Sequence, residues 1–564
     1  MNKLKIGFII DGNTVDPNIF SLIEEVIKDN INFSSPVLVS LENKSPNLNY
    51  LDKIANILSQ RNPIHNLLKN LLGFFVINLE LKKLRKNSLY VEHGILKITD
   101  SLDIQKIDIS PMVSDSGFIY RFEDKDIDRL EPYNLDVLIR CGSGILRGKI
   151  LHFTRFGILS LHHGDNRVYR GIPAGFWEVF HGEPSSGFII QKLNKILDGG
   201  EVLFRGSIMT ASYWQLNYAN ICKKSNFFML RLLRNIAQNN RLPESEITSS
   251  CSNKLFHFPS PYILFRYICK QGKYFLKNKI LYLSKYRTTW NISYIKHEEF
   301  DPKLSDLTTK ILSNAITISN PDGRFLADPF LFSNKGRTVC FAEDFFFEQN
   351  RGKISAYEIT NQGYQELGVI LEEDFHLSFP YIFQYKNNIY MCPETSEKKE
   401  IRLYVCNEYP KSWSYYKTIM RNVSAVDTLI FPFNNYWCLL SNMCSSEMGE
   451  HNSELHLFLS DDPLSDEWKP NKNNPVIFDS KKGRNGGLFE LNGDLYRVNQ
   501  IHGKSHYGKA FGINKIIQLD DETYIEKTIN TVDPSFYPNI KGTHHFDYHE
   551  NFLIFDHWQL KRLK

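Results

Sequence analysis

A unit that recurs through the C-terminal half limits what this chain can fold into more than any other feature. An apolar strand, a polar tight turn and a second strand ending in a polar residue appear as DPFLFSNKGRTVCFAED from Asp328, FPYIFQYKNNIYMCPET from Phe379 and DTLIFPFNNYWCLLSN from Asp427. The unit returns as GGLFELNGDLYRVNQ from Gly486 and HHFDYHENFLIFD from His544. The starts recur at intervals of about fifty residues, which leaves room in each for a second hairpin such as KISAYE from Lys353 or LHLFL from Leu455. Four strands per unit, repeated five times, predict an all-β five-bladed propeller over 301–564. A β-sandwich supplies hairpins too, but not at this even period. The 28 Tyr and 40 Phe suit strands, and also surfaces that stack on sugar rings.

The first two hundred residues read differently. Short apolar runs at Leu4–Ile10, Val37–Leu41, Leu135–Ile139 and Ile158–Leu161 have the length of buried strands, and Ile19–Ile27 has helical spacing. A helix pattern also runs from Ile145 toward Phe156. Strand, helix and strand in alternation predict parallel pairing with right-handed crossovers, so the chain is expected to be multidomain with an α/β Rossmann-like domain over 1–220. Ligands of such sheets sit at the carboxyl ends of the strands, which directs attention to His162–Arg170. No GxGxxG follows the first strand, so a NAD enzyme is not expected.

Between these regions, 221–300 reads as a basic, largely helical connector. Fourteen Lys and Arg lie between Cys222 and Lys296, against only Glu244 and Glu246, with aromatics interleaved. The simple reading is a solvated face; the sharper ones are contact with anionic lipid through 222–296 or with a phosphorylated substrate. The whole-chain charge of +4 is too small to argue for nucleic acid. Nine cysteines without a CxxC argue against a disulfide framework and against structural zinc, and no metal is expected. MNKLKIGFIIDGN reads as a first buried strand rather than a signal peptide, and no run of about 18 apolar residues suggests a transmembrane segment. The expected location is cytoplasmic.

The densest polar cluster runs from Ser160 through His162, His163, Arg167, Tyr169 and Arg170 to Gly171, just past a buried strand. Two histidines there can act as acid or base near neutral pH, and Asp198 in the Gly-rich turn before Val202 can orient an imidazole. His162, Tyr169-Arg170-Gly171 and Leu197-Asp198-Gly199-Gly200-Glu201-Val202 resemble the signature of the N10-formyltetrahydrofolate-dependent formyltransferases. Gly175–Val179, Gly187–Gln191, Asp136–Ile139 and Gly144–Leu146 fit the elements around that signature. The resemblance implies a formyltransferase, with His162 and Asp198 as the acid/base pair and Ser160 where the family has Asn. It further implies folate contacts at Gly142, Ile145, Leu146 and Gly199, and acceptor contacts at His163, Arg167, Tyr169 and Arg170. N10-formyltetrahydrofolate would be the donor, and an amino sugar or sugar nucleotide of surface-glycan synthesis the acceptor.

In the repeats, the first strand of each hairpin should start near a common axis. That gathers Asp328, His376, Asp427, Arg484 and His544 or His545 around one funnel, with Glu343, Glu394 and Gln500 at the second-strand ends. This set resembles the five-bladed propellers of the family-43 glycoside hydrolase type, and Asp328-Pro329-Phe330 looks like their base motif. The resemblance supports a second reading: a glycan-binding, glycan-cleaving or glycan-transferring protein whose propeller carries the activity. His544, His545, Asp547 and His549 lack a defined ligand spacing and read as structural.

Overall fold

The computed structural model describes residues 3–41, 62–114, 119–195, 200–246, 254–304, 307–446, 448–504 and 506–562. The chain forms two compact units, Met1–Phe275 and Leu276–Lys564. The stretch 221–300 is divided between them and forms no third unit.

The first unit is built on one seven-stranded sheet. Its strands run in the order Glu201–Met209, Ser185–Lys192, Ile158–His162, Val137–Cys141, Ile6–Asp11, Val37–Leu41, Gln105–Ile109. The last five pair in parallel and the first two antiparallel. Ile6, Phe8, Ile9 and Ile10 are fully buried, as a central strand covered on both faces requires. Helix Pro17–Lys28 starts where Asp16 accepts the Asn18 backbone N–H and Pro17 takes the first helical position. The helix expected from Ile145 is instead a short strand, Ile145–Arg147, paired in parallel with Ile119–Arg121. Gly148, at φ +92°, ends it. Helix Trp214–Asn239, drawn from the basic stretch, is largely buried: Lys224 is fully enclosed, so that part of the stretch is core and not a solvated face.

Among the described residues, the second unit consists of five antiparallel sheets. The first four each follow the chain: Arg324–Leu371, Ser378–Arg421, Ala425–Phe478 and Asn485–Val532. The fifth joins both ends of the unit, in the order Ile316–Ile318, Tyr286–Lys296, Phe552–Arg562, Phe546–His549. Tight hairpins such as Asn492-Gly493, both at positive φ, match the right-handed twist of the strands they connect. Apolar cores lie between successive sheets. Phe341 and Ile354 pack with Met391 and Tyr404, Leu403 with Leu439, Leu440 with Leu488, and Val498 with Leu553. The series closes on itself, because Ile292 and Ile554 of the fifth sheet share a core with Leu331 and Tyr357 of the first.

Candidate functional site

The opening strand of each of the first four sheets is broken by a bulge at the same place. Register shifts lie between Ala327 and Phe330, Ser378 and Tyr381, Val426 and Leu429, and Asn485 and Gly487. Asp328, Phe379 and Asp427 sit there at φ +49°, +47° and +49°, and Gly487 at +132°. Positive φ is strained for a side-chain-bearing residue, and a bulge re-aims the side chain it carries. Two of the four are aspartates aimed inward, and both are buried.

All eight residues expected around the funnel come together. Arg484 Nε donates to Asp427 Oδ2, which also accepts from Gln500 Nε2 at 3.1 Å. His544 Nδ1 lies 2.6 Å from Asp556 Oδ2, and its Nε2 lies 3.6 Å from Asp328 Oδ1. His376 Nε2 lies 3.5 Å from Glu343 Oε1, and Glu394 Oε1 accepts from Ser396 Oγ at 2.7 Å. The Gly352 backbone N–H donates to His376 Nδ1 at 2.9 Å, which leaves Nε2 as the protonated nitrogen facing Glu343.

The charges do not balance, and this sets the chemistry. Arg484 is matched by Asp427, and His544 by Asp556. Burial would lift the Asp556 carboxyl, but the His544 charge and the His544 backbone N–H hold it below the carboxylate range. Burial would lower His544, and Asp556 outweighs it and raises it. Asp328, Glu343 and Glu394 remain without a cation of their own. Burial pushes Asp328 up to about 7, with Asp427 and Asp556 adding to the rise against the pull of His544. Burial pushes Glu394 up to about 8, with Asp427 adding to it. Glu343 goes well above the carboxylate range through burial and through Asp328 and Glu394. Carboxyls that keep protons near neutral pH can donate them to a leaving group.

Residues the sequence reading passed over complete the cluster. Asp556 ends the hairpin that starts at His544, as Glu343 and Glu394 lie near the ends of theirs, so the polar ending of the repeated unit carried a signal. Trp290 stacks on His544 with ring centroids 4.0 Å apart, and Tyr507 meets it edge-on at 5.3 Å. Neither aromatic had a pattern to mark it. Asp328, His544 and Asp556 offer ligand atoms within 4.8 Å of one another, the spacing a cation needs. In this arrangement the His544–Asp556 contact already occupies two of the three.

In the first unit the expected site is only partly assembled. His162 ends its strand opposite Ile189, and Ser160 lies between Arg140 and Gln191. His162, His163, Tyr169 and Arg170 line a pocket with Glu178 and Phe256. Burial, then His162, lowers His163 to about 4, and burial raises Glu178 to about 7. Tyr169 is engaged by His181 Nδ1 and Glu183 Oε1, each at 2.9 Å, and Arg167 by Asp165 at 2.8 Å. The expected folate contacts are filled by the chain itself. Leu146 is a core residue, Ile145 lies in the Ile145–Arg147 strand, a Cβ on Gly142 would meet Asp11, and one on Gly144 would meet the Tyr120 ring. Asp198 and Gly199 lie outside the described residues.

Residues 307–550 match the family model described as "Glucosamine inositolphosphorylceramide transferase 1, N-terminal". Glucosamine inositolphosphorylceramide transferase 1 of Oryza sativa subsp. japonica is 34% identical over 211 residues, which is 36% of this chain and 28% of the relative. Its Arabidopsis thaliana counterpart is 35% identical over 218 residues, 38% of this chain and 28% of the relative. The chain thus spans little more than a quarter of the length of these curated relatives. Among solved structures, a family 117 glycoside hydrolase of Zobellia galactanivorans is 10% identical, over 49% of this chain and 91% of its own, at a TM-score of 0.32. Glycinamide ribonucleotide transformylase 1 of Symbiobacterium toebii is 13% identical, over 44% and 95%, at 0.27. Likenesses that weak assign no activity. The match overturns the formyltransferase expectation: the family that this sequence matches is named for a different transfer, and the folate donor loses its support with it. It also replaces the expected likeness to family-43 glycoside hydrolases. Asp328, Glu343, His376, Glu394, Asp427, Arg484 and His544 all fall inside 307–550, the residues that match this family model.

Proposed function

We propose that the second unit is a five-bladed propeller and that its buried carboxyl cluster handles a glycosyl group, making the protein a glycosyltransferase that acts on a sugar-type substrate. The closed cycle of five sheet-to-sheet cores supports the propeller. The observation that carries the function is the set of three carboxyls left over after two internal ion pairs, inside the region that matches the glucosamine inositolphosphorylceramide transferase family model.

In this reading Glu394, protonated at neutral pH, gives its proton to the oxygen leaving the sugar's anomeric carbon. Asp328, poised near 7, takes the proton of the incoming hydroxyl. Arg484 and Gln500 hold the Asp427 carboxyl in place, so its charge faces the positive character that develops on the ring. His376 and Ser396 position Glu343 and Glu394. The relatives' name directs the choice of substrates: an activated glucosamine donor and an inositol phosphate-bearing lipid acceptor.

The test is to incubate the full chain with such donors and acceptors and to follow the acceptor's mass. A hexosamine mass increment that disappears in Glu394→Gln supports the proposal. A folded protein that neither binds nor transfers any amino sugar overturns it.

A further inference from the structure

We propose that the first unit docks on an anionic lipid bilayer through the outer faces of two neighbouring helices, Pro63–Leu84 and Pro261–Leu283. The argument rests on the helices alone and is independent of the glycosyl-transfer reading. Helix Pro63–Leu84 buries Gly73, Val76, Glu80, Leu81 and Leu84 at steps of one, three and four residues. It packs closely there: a Cβ on Gly73 would meet the Phe258 ring at 2.9 Å, and Glu80 accepts from Tyr267 of the second helix at 2.5 Å.

A helix with one buried face should present polar residues on the other. This one presents a second apolar row, Ile64, Leu68, Leu71, Phe75 and Leu79, again at steps of three and four, with Phe74 beside it. Phe74 is 71% exposed and Ile64 73%. The second helix adds exposed aromatics within the first unit, Tyr262, Phe265 and Phe275, which are 67%, 59% and 68% exposed. Exposed large apolar residues scattered singly need no explanation, but an ordered row on a packed helix, with aromatics exposed on its neighbour, does.

The sign of the charge selects what covers them. The only acid on helix Pro63–Leu84 is Glu80, which is buried, and helix Pro261–Leu283 contains no Asp or Glu. The Lys and Arg of the two helices are Lys69, Lys82 and Lys83 on one, with Lys83 over the Tyr213 ring, and Arg266, Lys270, Lys273, Lys277 and Lys279 on the other, where Lys270 donates to the Phe180 carbonyl oxygen. Apolar and aromatic residues that enter the acyl boundary, with Lys and Arg at headgroup level, are the recognition chemistry of an anionic membrane surface. Among the described residues no helix is long and apolar enough to cross a membrane, so the pair lies on the surface.

The experiment is flotation of the full chain with vesicles of phosphatidylcholine alone or mixed with phosphatidylserine, at low and high salt. The expected result is flotation only with the mixed vesicles, weakened by salt. Phe74→Glu/Phe75→Glu should weaken it by about tenfold or more, and Lys69→Glu/Lys82→Glu should abolish the preference for phosphatidylserine, both without change in far-ultraviolet circular dichroism. Equal partition into both vesicle types, or none, overturns the proposal. So does a dimer dissolved by Phe74→Glu, which would make a second copy the occupant. Protection of Phe74 and Phe75 from radical labelling without vesicles, which would make the chain its own cover, overturns it as well.

Discussion

Burial pushes Glu394 up to about 8 and Asp328 up to about 7, since the cations beside them are already matched, and this has consequences for stability. An unfolded glutamate gives up its proton near 4.5, whereas folded Glu394 holds it up to about 8. Between those values the folded state binds more protons, so stability falls as pH rises through the window and levels off above it. Glutamine keeps the shape and cannot ionise. Glu394→Gln should therefore flatten the fall in melting temperature between pH about 5 and about 8, and melt higher than the natural protein at the upper end. Unchanged slopes in scanning calorimetry would refute this. Asp556 is the opposite case, a charged partner with no exposure. Asp556→Asn strands the His544 charge and should cost about 3–5 kcal/mol in urea denaturation. In activity, Glu394→Gln and Asp328→Asn should each lower sugar transfer by about 10²–10⁴-fold, read as the initial rate of acceptor mass gain.

The element that carries the candidate site is the bulged opening strand. One extra residue turns the backbone so that positions 328 and 427 point inward, at the cost of a positive φ that a neighbouring sheet must hold in place. The fourth sheet resolves the same strain with Gly487, where a Cβ would come within 2.1 Å of the Phe546 carbonyl oxygen. Gly487→Ala should destabilise the second unit by on the order of 2–3 kcal/mol, measured by chemical denaturation, without altering any titrating group. An effect below a few tenths of a kcal/mol would mean that the bulge relaxes freely. The bulges were invisible in the sequence, because Asp-Pro, Phe-Pro, Asp-Thr and Gly-Gly share no side-chain chemistry. What they share is a backbone conformation. The helix expected from Ile145 failed for a related reason: its spacing was helical, but Ile119–Arg121 offered a strand partner, and tertiary pairing outweighs local propensity.

At the scale of the whole molecule, the second unit depends on sequence that lies outside its repeats. Strand Tyr286–Lys296 pairs with Phe552–Arg562 along its entire 11 residues, which joins the first and last segments of the unit into the fifth sheet. A chain ending at Asn551 loses that partner and, with Phe552 and Ile554, two buried residues of the core shared with the first sheet. Its second unit should unfold at lower temperature and be cut by protease under conditions that leave the full chain intact, and equal resistance would show that the fifth sheet is dispensable. Two aids to His544, Trp290 and Asp556, come from these same closing strands and lie outside the region the family model matches. The sequence by itself determined the hairpin repeat, the strands of the first unit and the inward residues of the second, because alternation and turn chemistry are local. For the first unit it suggested folate contacts beside the His162 segment, but a familiar string of residues does not report which loop is filled by Tyr120 and Asp11. Only the tertiary structure decided which carboxyls have a cation and which must keep a proton. That depends on Asp427 meeting Arg484 across 57 residues and His544 meeting Asp556 across a hairpin, and on burial, which strengthens every unmatched charge's cost.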